Sequence, residues 1–460
     1  MRTNPTTQQT VLFPGLFSKP VVAKFDQPNG SSDGGAILLK AVDERLGLTA
    51  RLAACLRDSR QPGKVEHELI ELFRQRVFAI ACGYADCNDS ARLAHDPIHK
   101  MLVGRDPIDG DPLASQPTLS RFENSVSRTT LCRMGRVLAQ LVVETQRQLR
   151  RGRAQRIIVE LDPTDDPTHG GQQLSLFNGH YDSWCYLPLA GFVKFDDEPE
   201  QHLFTYVLRP GNAPAKLGAL GILRRILEQL IDAFPKAEIL VRLDGGFACP
   251  EVLDFLEDAG LLYVVAMAEN AVLARHAEGL LKKARRLSKR SEKTEHVYGA
   301  CRYAARSWGR KRRRVVIKAE VVRLEGREPK DNPRFVITNL LDPPRAVYED
   351  VYCQRGDLEN RIKELHHGLE IDRTSCTRFW ANQLRGLMAA AAYVLMQHLR
   401  SHAAGTSCAR AQVSTLRERL IKLGAWIEVS VRRIVLHLPS SYPFADAFRH
   451  VAHALNPCSG

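Results

Sequence analysis

The sequence lacks paired cysteines. It has eleven cysteines, scattered and odd in number, and none of them stand in a C-x-x-C arrangement. A zinc ribbon needs such closely spaced pairs, so this class of metal-binding module is excluded. Isolated cysteines are typical of chains that keep their thiols reduced, and we therefore expect a cytoplasmic protein.

Long apolar runs are also missing. No stretch approaches the roughly 20 apolar residues that span a membrane, and the opening residues, MRTNPTTQQTVLFPGLF, lack the basic-then-apolar pattern of a secretory signal. Internal repeats and low-complexity tracts are absent as well. With a length of 460 residues, these absences predict an ordinary globular protein of roughly two to four domains.

The charge balance is strongly basic. Lysines and arginines number 65 against 52 aspartates and glutamates, which leaves a net charge of +13 and a pI near 9.3. A surplus of this size favours a polyanionic partner, of which nucleic acid is the commonest. The alternative is a basic enzyme without such a partner, and composition alone leaves both open.

The N-terminal part divides into two segments. Residues 1–35 contain prolines and a turn cluster at 29–35, which predict an extended arm. Residues 36–153 show helical periodicity and predict a helical DNA-binding domain, in which Arg121 is exposed near the start of a helix. The alternative is a packing domain whose basic surface is only solvated.

An α/β core follows in two parts. Residues 154–269 and 346–402 combine short β-branched runs with amphipathic helices, which predicts a mixed sheet with flanking helices. Two of the buried runs, RIIVELD and EILVRLD, end on Asp162 and Asp244. A carboxylate at the end of one strand is weak evidence of a site, because many such residues only cap a turn.

Residues 270–345, between the two parts of the core, predict a basic β-rich insertion before the last catalytic helix. The insertion contains the run RKRRR. The candidates for phosphate contact in this run are Arg310, Lys311, Arg312 and Arg313, and a solvated basic face is the alternative. Residues 403–460 predict a C-terminal helix and hairpin region.

The stretch Tyr352–Leu369, YCQRGDLENRIKELHHGL, predicts one α-helix, in which each residue advances about 100° around the axis. One narrow stripe beside the apolar seam then carries Tyr352, Arg355, Glu359, Lys363 and His366. Asp357 and Glu364 fall on the other side and are expected to face solvent. The alternative is a helix with ordinary ion pairs one turn apart.

Three carboxylates could form a metal site if the fold assembles them. They are Asp162, Asp244 and Glu359. Carboxylate oxygens are the ligands that Mg²⁺ prefers, and two such ions about 4 Å apart can promote displacement at a phosphodiester. Gly245 and Gly246 follow the second aspartate and would let a DNA backbone approach closely.

Several sequence blocks occur together in one order over nearly the whole chain. They are FRQRVFAIACGYADCNDSARLAHDP (Phe73–Pro97), LASQPTLSRFEN (Leu113–Asn124), ELDPTDDPTHGGQQ (Glu160–Gln173), YDSWCYLPL (Tyr181–Leu189), RLDGGFA (Arg242–Ala248), RFVITNL (Arg334–Leu340) and YCQRGDLENRIKE (Tyr352–Glu364). With these blocks the chain resembles DDE-type transposases of bacterial insertion sequences, and among them the insertion-sequence thirteen-eighty family.

The resemblance implies an RNase H-like core and assigns roles to the acidic residues. The implied catalytic and metal-binding triad is Asp162, Asp244 and Glu359. Related transposases place a Tyr, Arg, Glu and Lys signature around the glutamate, and Tyr352 and Arg355 match its first two positions. The signature lysine falls at His366, and Lys363 lies on the same face, so both are candidates for its role. The family often has serine at the position of Gly245.

The function implied by the resemblance is DNA cleavage and strand transfer at the inverted repeats of a mobile element. It implies two Mg²⁺ ions, which Mn²⁺ could replace, double-stranded DNA as end and target, a homodimer that pairs two ends, no membrane, and a place at the bacterial nucleoid. The implied DNA-binding residues are Tyr352, Arg355, Lys363, His366, Arg310, Lys311, Arg312, Arg313 and Arg121. The alternatives are an RNase H-like nuclease without joining activity and a non-catalytic DNA-binding protein derived from a transposase. The latter predicts loss of a triad carboxylate, and all three are present.

Five further residues have two interpretations each. Asp165 and Asp166 could support a metal or lie in a solvated turn, and His169 could touch DNA or stabilise a turn. Trp308 and Trp380 could stack on flipped bases or pack in the core or an interface.

Overall fold

The computed structural model describes residues 10–12 and 17–456. Part of the predicted arm, residues 1–9 and 13–16, therefore lies outside the described residues. The described part of the arm is extended: strand β1 (Thr10–Leu12) pairs antiparallel with β2 (Val21–Ala23), and β3 (Gly30–Ser31) follows.

Helices form the segment that follows the arm. They are α1 (Ile37–Leu46), α2 (Leu48–Ala53), α3 (Leu69–Ala81), α4 (Cys87–Arg92), α5 (Pro97–Val103), α6 (Gln116–Asn124) and α7 (Arg128–Leu149). Helix α3 begins with a capping box, in which the backbone N–H of Glu68 donates to the carboxylate of Glu71 at 2.9 Å. The apolar faces of these helices join the same buried core as the sheet, so this segment packs against the sheet.

The strands after residue 155 build a large sheet and a small one. They are β4 (Arg156–Pro163), β5 (Asp166–Pro167), β6 (Leu176–Asn178), β7 (Ser183–Tyr186), β8 (Leu189–Phe195), β9 (Gln201–Val207), β10 (Glu238–Leu243), β11 (Leu262–Met267), β12 (Glu295–Tyr303), β13 (Arg313–Val322), β14 (Lys330–Asp331) and β15 (Arg334–Thr338). Within the described residues the large sheet has nine strands in the order β12-β13-β15-β11-β10-β4-β8-β9, with β14 paired to β13. Strand β10 runs parallel to β4 and β11, whereas the other neighbours are antiparallel, so the predicted mixed sheet is confirmed.

The strands of the predicted insertion extend the core sheet. Strand β15 pairs antiparallel with β11, and β13 and β12 follow it outward. Without β15, the edge of β11 away from β10 would be open, and the pairing with β15 satisfies its backbone groups. The strands within residues 270–345 therefore belong to the same sheet as β4 and β10.

Helices cover both faces of the sheet. The remaining α-helices are α8 (Ala219–Ala233), α9 (Pro250–Asp258), α10 (Ala271–Ser291), α11 (Pro344–Ala346), α12 (Gly356–Leu369), α13 (Phe379–His402), α14 (Val413–Leu416) and α15 (Ala445–Leu455). Alternate residues of β4, such as Val159, join the larger core with helix α8. On the opposite face Leu240 and Val264 pack against Val347 and Tyr348, just before the predicted catalytic helix.

That catalytic helix is not one regular α-helix, and this part of the prediction was wrong. A π-helical turn spans Val347–Tyr352, a 3-10 turn spans Cys353–Arg355, and α12 begins only at Gly356. The side chain of Arg242 donates to the carbonyl oxygen of Val351 at 2.6 Å. A side chain that bonds a helix carbonyl disturbs the helical ladder, which explains the irregular turns here.

The C-terminal segment packs against the N-terminal segment. Strands β16 (Ala425–Val429) and β17 (Ile434–His437) form the predicted hairpin, and β16 also pairs with β3. At Gly35 a Cβ atom would lie 1.7 Å from the carbonyl oxygen of Leu420, so this close approach requires glycine. Across the part of the chain that the structure describes, no helix is both long and apolar enough to cross a membrane.

Candidate active site

Asp162 and Asp244 lie side by side at the same edge of the sheet. Strands β4 and β10 are parallel and in register, with Leu161 opposite Leu243. The residue that follows each of these leucines is an aspartate. The Oδ1 atom of Asp244 also accepts the backbone N–H of Gly246 at 2.8 Å, which orients this carboxylate. The parallel pairing therefore brings together two residues that lie far apart in the sequence.

A buried ion pair fixes the two strands below the aspartates. Nε of Arg242 lies 2.7 Å from Oε1 of Glu160, both side chains are buried, and Gln201 donates to the other carboxylate oxygen. Burial raises the pKa of Glu160, although Arg242 opposes this shift. Sequence reasoning overlooked this pair; the signal was the match between Glu-Leu-Asp and Arg-Leu-Asp at the two strand ends.

Arg355 is the cation at the two aspartates. Its Nη2 atom lies 2.5 Å from Oδ1 of Asp162 and 3.9 Å from Oδ2 of Asp244. Burial raises the pKa of Asp162 to about 7; Arg355 opposes this shift, and the charge of Asp244 adds to it. Two carboxylates held together in this way favour a nearby cation, and among the described residues the guanidinium of Arg355 lies there.

Glu359 does not join Asp162 and Asp244 in a group of potential metal ligands within the described residues. Arg355, one turn before Glu359, contacts Asp162; His366, two turns after it, lies 3.0 Å from the hydroxyl of Thr164. The side chain of Glu359 is exposed. Because residues one turn or two turns apart share a helix face, Glu359 lies on the face that meets the end of β4.

The predicted triad is consequently only partly assembled. Among the described residues, one group of three or more potential ligands has all its candidate atoms within 4.8 Å of one another, and that group is Asp33, Cys82 and His99. In this buried group the carboxylate of Asp33 already has hydrogen-bond donors, because it accepts from His99 at 2.9 Å and from Lys422 at 2.7 Å. We assign it to packing between the N-terminal and C-terminal segments.

The comparison with protein families identifies the chain. The family model described as "Transposase DDE domain group 1" matches residues 13–459. The chain belongs to this DDE transposase family. No curated protein matches it. The match covers nearly the whole chain and confirms the predicted relationship to DDE transposases.

In this DDE-family chain the two candidates for the signature lysine, His366 and Lys363, differ in their hydrogen-bond and ion-pair partners. Nδ1 of His366 lies 3.1 Å from Asp372, and its Nε2 atom lies near Thr164, so both ring nitrogens have partners. Lys363 is exposed and has no ion pair within residues 17–456. Lys363 is therefore the one of the two whose charge is not paired within the described residues.

Tyr352 lies in the π-helical turn beside the aspartates. Its ring packs against Tyr348 with the centroids 5.5 Å apart. Burial raises the pKa of Tyr352; Arg355 opposes the shift, and Asp244 adds to it. The ring of Tyr352 thus packs against the smaller apolar cluster that contains Tyr348.

Glu364 does not face solvent, so this prediction was wrong. Its carboxylate is buried and lies 2.6 Å from Nη1 of Arg400, and it also accepts from Tyr393 and from the backbone of Val413 at 2.8 Å each. Helix α13 packs over this face of α12, which the periodicity of α12 alone could not reveal. Asp357 is exposed, as predicted.

Arg313 in the basic run is not at the surface. It is 3% exposed, lies 2.6 Å from both Asp254 and Glu257, and stacks over the ring of Trp308. The predicted contact between Arg313 and DNA was therefore wrong, and Arg313 belongs to an internal ion-pair network. Lys311 is exposed but lies 2.7 Å from Asp254.

Arg310 and Arg312 in the same run are exposed, and Arg121 is exposed as well. Arg121 lies in the last turn of α6, rather than near its start as predicted, and donates to Thr118 at 3.2 Å. These three arginines remain available as candidates for contact with DNA.

The other singled-out residues are mostly structural. Asp166 is fully buried and accepts from Thr374 at 2.8 Å, so the solvated-turn interpretation was wrong for it. Trp308 is buried, as the packing interpretation predicted. Trp380 is partly exposed beside Phe379, with the ring centroids 5.0 Å apart. Gly246 avoids a clash, because a Cβ there would lie 2.5 Å from Ala215.

Proposed function

We propose that this chain binds the terminal inverted repeats of its own insertion sequence, cleaves the DNA there and joins the freed ends to target DNA. The observation that carries the proposal is the pair formed by Asp162 and Asp244, adjacent at the ends of two parallel strands with a guanidinium between them. Membership in the DDE transposase family supports the same chemistry.

The carboxylates fit divalent metal ions. Asp162 and Asp244 are hard oxygen donors that already share a cation, the guanidinium of Arg355. Asp162, Asp244 and Glu359 would hold two Mg²⁺ ions, or Mn²⁺ in their place. When bound, such ions would neutralise charge at the phosphate and activate the attacking oxygen.

The residues of the chain have distinct roles in this proposal. Glu359 would move toward the aspartates and complete the site. Arg355 would release Asp162 and bind a phosphate group of the DNA end instead. A guanidinium can donate two parallel hydrogen bonds to such a phosphate. Lys363 would contact a second phosphate, while His366 holds α12 against Thr164 at the end of β4.

DNA binding would extend beyond the carboxylates. Arg310, Arg312 and Arg121 are exposed cations that can contact phosphates, and Tyr352 would shape the wall beside the scissile bond. The net charge of +13 supports a polyanionic partner. We further propose an RNase H-like fold, membership in the insertion-sequence thirteen-eighty family, a homodimer that pairs two ends, and action on bacterial nucleoid DNA.

The test uses DNA from both sides of the gene. Duplexes that end in the flanking inverted repeats are incubated with the chain and Mg²⁺, and cleavage and strand transfer of a pre-cut end are measured separately. The wild type should do both, whereas Asp162→Asn and Asp244→Asn should bind the ends without cleaving them. Cleavage without strand transfer would indicate a nuclease, and undiminished cleavage by both variants would refute this site.

A further inference from the structure

One buried arginine joins three elements at the active-site edge of the sheet. Arg242 lies on β10, two residues before Asp244. Its partner Glu160 lies directly opposite it on β4, two residues before Asp162. Successive side chains of a strand point to opposite faces, so Arg242 and Glu160 share a sheet face with the two aspartates. The third element is the irregular turn before α12, because Nη1 of Arg242 donates to the carbonyl oxygen of Val351 at 2.6 Å.

The carbonyl that Arg242 holds lies in the backbone that leads to Arg355 and Glu359. In a regular α-helix the carbonyl of Val351 would accept the backbone N–H of Arg355, four residues later. The side chain of Arg355 is the one that lies 2.5 Å from Asp162. The bond from Arg242 therefore holds a peptide four residues before Arg355 and eight before Glu359, and it links the position of that peptide to the strand ends.

The contacts of Arg242 leave its side chain little freedom to move. The side chains of Arg242 and Glu160 are 2% and 1% exposed, and Gln201 donates to the second carboxylate oxygen of Glu160 at 2.7 Å. Nε of Arg242 donates to Glu160 while Nη1 donates to Val351, so one planar group spans both acceptors. A lysine ammonium is a point charge on a flexible stem and lacks this fixed arrangement of donors. Either residue could oppose the charge of Glu160, whereas the bridge to Val351 requires arginine.

We propose that Arg242 is a positioning residue for cleavage, which holds the turn before α12 in the position from which Arg355 contacts Asp162 and Glu359 can complete the site. The inference rests on the proposed function and adds to it a residue that acts through the turn, because its buried side chain lies below the reacting atoms. π-Helical turns are frequent at functional sites, and the guanidinium of Arg242 anchors this one to the strands.

The test separates positioning from neutralisation of a buried charge. Single-turnover cleavage of inverted-repeat duplexes with Mg²⁺ and duplex binding in EDTA are measured on the full-length chain. Arg242→Lys keeps a charge beside Glu160 but loses the bridge, so cleavage should fall about a hundredfold while the dissociation constant for the duplex stays unchanged. The double variant Glu160→Gln/Arg242→Met removes the buried charge pair altogether and should remain as slow. Cleavage at the wild-type rate in either variant would overturn the inference.

Arg76→Lys is the matched control. Arg76 is fully buried in the helical segment, where its Nε lies 2.8 Å from Glu123 and its Nη atoms donate to the carbonyls of Ala85 and Asp86. The same substitution there should lower stability but leave the cleavage rate of the folded fraction unchanged. A loss of cleavage equal to that of Arg242→Lys would assign both effects to stability and would overturn the inference.

Hydrogen exchange tests the contact without DNA or chemistry. In Arg242→Lys the backbone amides of residues 347–359 should exchange about tenfold faster than in wild type, because a charge-assisted hydrogen bond to the turn is lost. The amides of α13 should not change. Equal exchange of the turn in both proteins would overturn the inference. Failure of the proposed function would appear differently, as wild-type protein that does not cleave inverted-repeat duplexes while the difference in exchange persists.

Discussion

The guanidinium of Arg355 lies 2.5 Å from the carboxylate of Asp162, although 193 residues separate them in the chain. The same Nη2 atom is 3.9 Å from Asp244, so a basic side chain occupies the position between the two aspartates. This arrangement makes Arg355 an internal counter-ion of the site. A divalent ion and Arg355 would then compete for the same oxygens.

The first prediction concerns that competition. Arg355→Gln should tighten Mn²⁺ binding about tenfold, because a charge-assisted hydrogen bond of about 1.5–3 kcal/mol no longer has to be broken. Mn²⁺ binding is measured by calorimetry or electron paramagnetic resonance, without DNA. Arg312→Gln, which removes an exposed cation elsewhere, should leave the Mn²⁺ affinity unchanged. Equal affinities of wild type and Arg355→Gln would show that the guanidinium does not compete.

The second prediction concerns pH. The pKa of Asp162 is about 7 in the folded chain and 3.8 ordinarily, so the folded state binds the extra proton between these values. Its contribution to stability is therefore fully present below about pH 4 and is lost as pH rises through 7, with a slope of at most about 1.4 kcal/mol per pH unit. Metal-free wild type should lose stability relative to Asp162→Asn over this window in denaturant unfolding. A constant difference between the two across this window would contradict the shift.

The third prediction separates the acidic residues of α12. Glu359→Gln should abolish cleavage and strand transfer, because it removes the proposed third metal ligand. DNA binding and unfolding should stay normal, since its side chain is exposed. Asp357→Asn should change none of these. Glu364→Gln should lower the free energy of unfolding by about 1.5–3 kcal/mol, because the buried Arg400 loses a charged hydrogen-bond partner and keeps Glu200 as its other charged partner. Activity in Glu359→Gln together with its loss in Asp357→Asn would mean that the other face of α12 carries the catalytic carboxylate.

The fourth prediction distinguishes surface cations from internal ones in the basic run. Replacing both Arg310 and Arg312 by Gln should reduce the slope of log affinity against log salt by about two, because two phosphate contacts are lost. Arg313→Gln should instead lower thermal stability, since it breaks the pairs with Asp254 and Glu257. An unchanged salt slope in the double variant would exclude this run from the DNA interface.

Much of the site was visible in local patterns. The runs that end at Asp162 and Asp244 form strands because they are short, apolar and rich in β-branched side chains, as is typical of strands buried on both faces. The mixed sheet, the C-terminal hairpin and the exposure of Asp357 follow from the same local periodicity. The acidic strand ends and the basic surplus indicated a possible metal site and a polyanionic partner, and the resemblance to DDE transposases supplied the predicted reaction.

Tertiary structure decided which groups meet. Glu364 is buried because α13 brings Arg400 and Tyr393 over a helix face that its own periodicity assigns to solvent. Arg313 is internal because α9 supplies two carboxylates, and the insertion strands join the core sheet through the open edge of β11. The sequence by itself determined which faces are apolar and which strand ends are acidic. Only long-range packing selected the partner of each charged side chain. The periodicity of a helix or strand sets the direction in which a side chain points, but not which other element packs against that side.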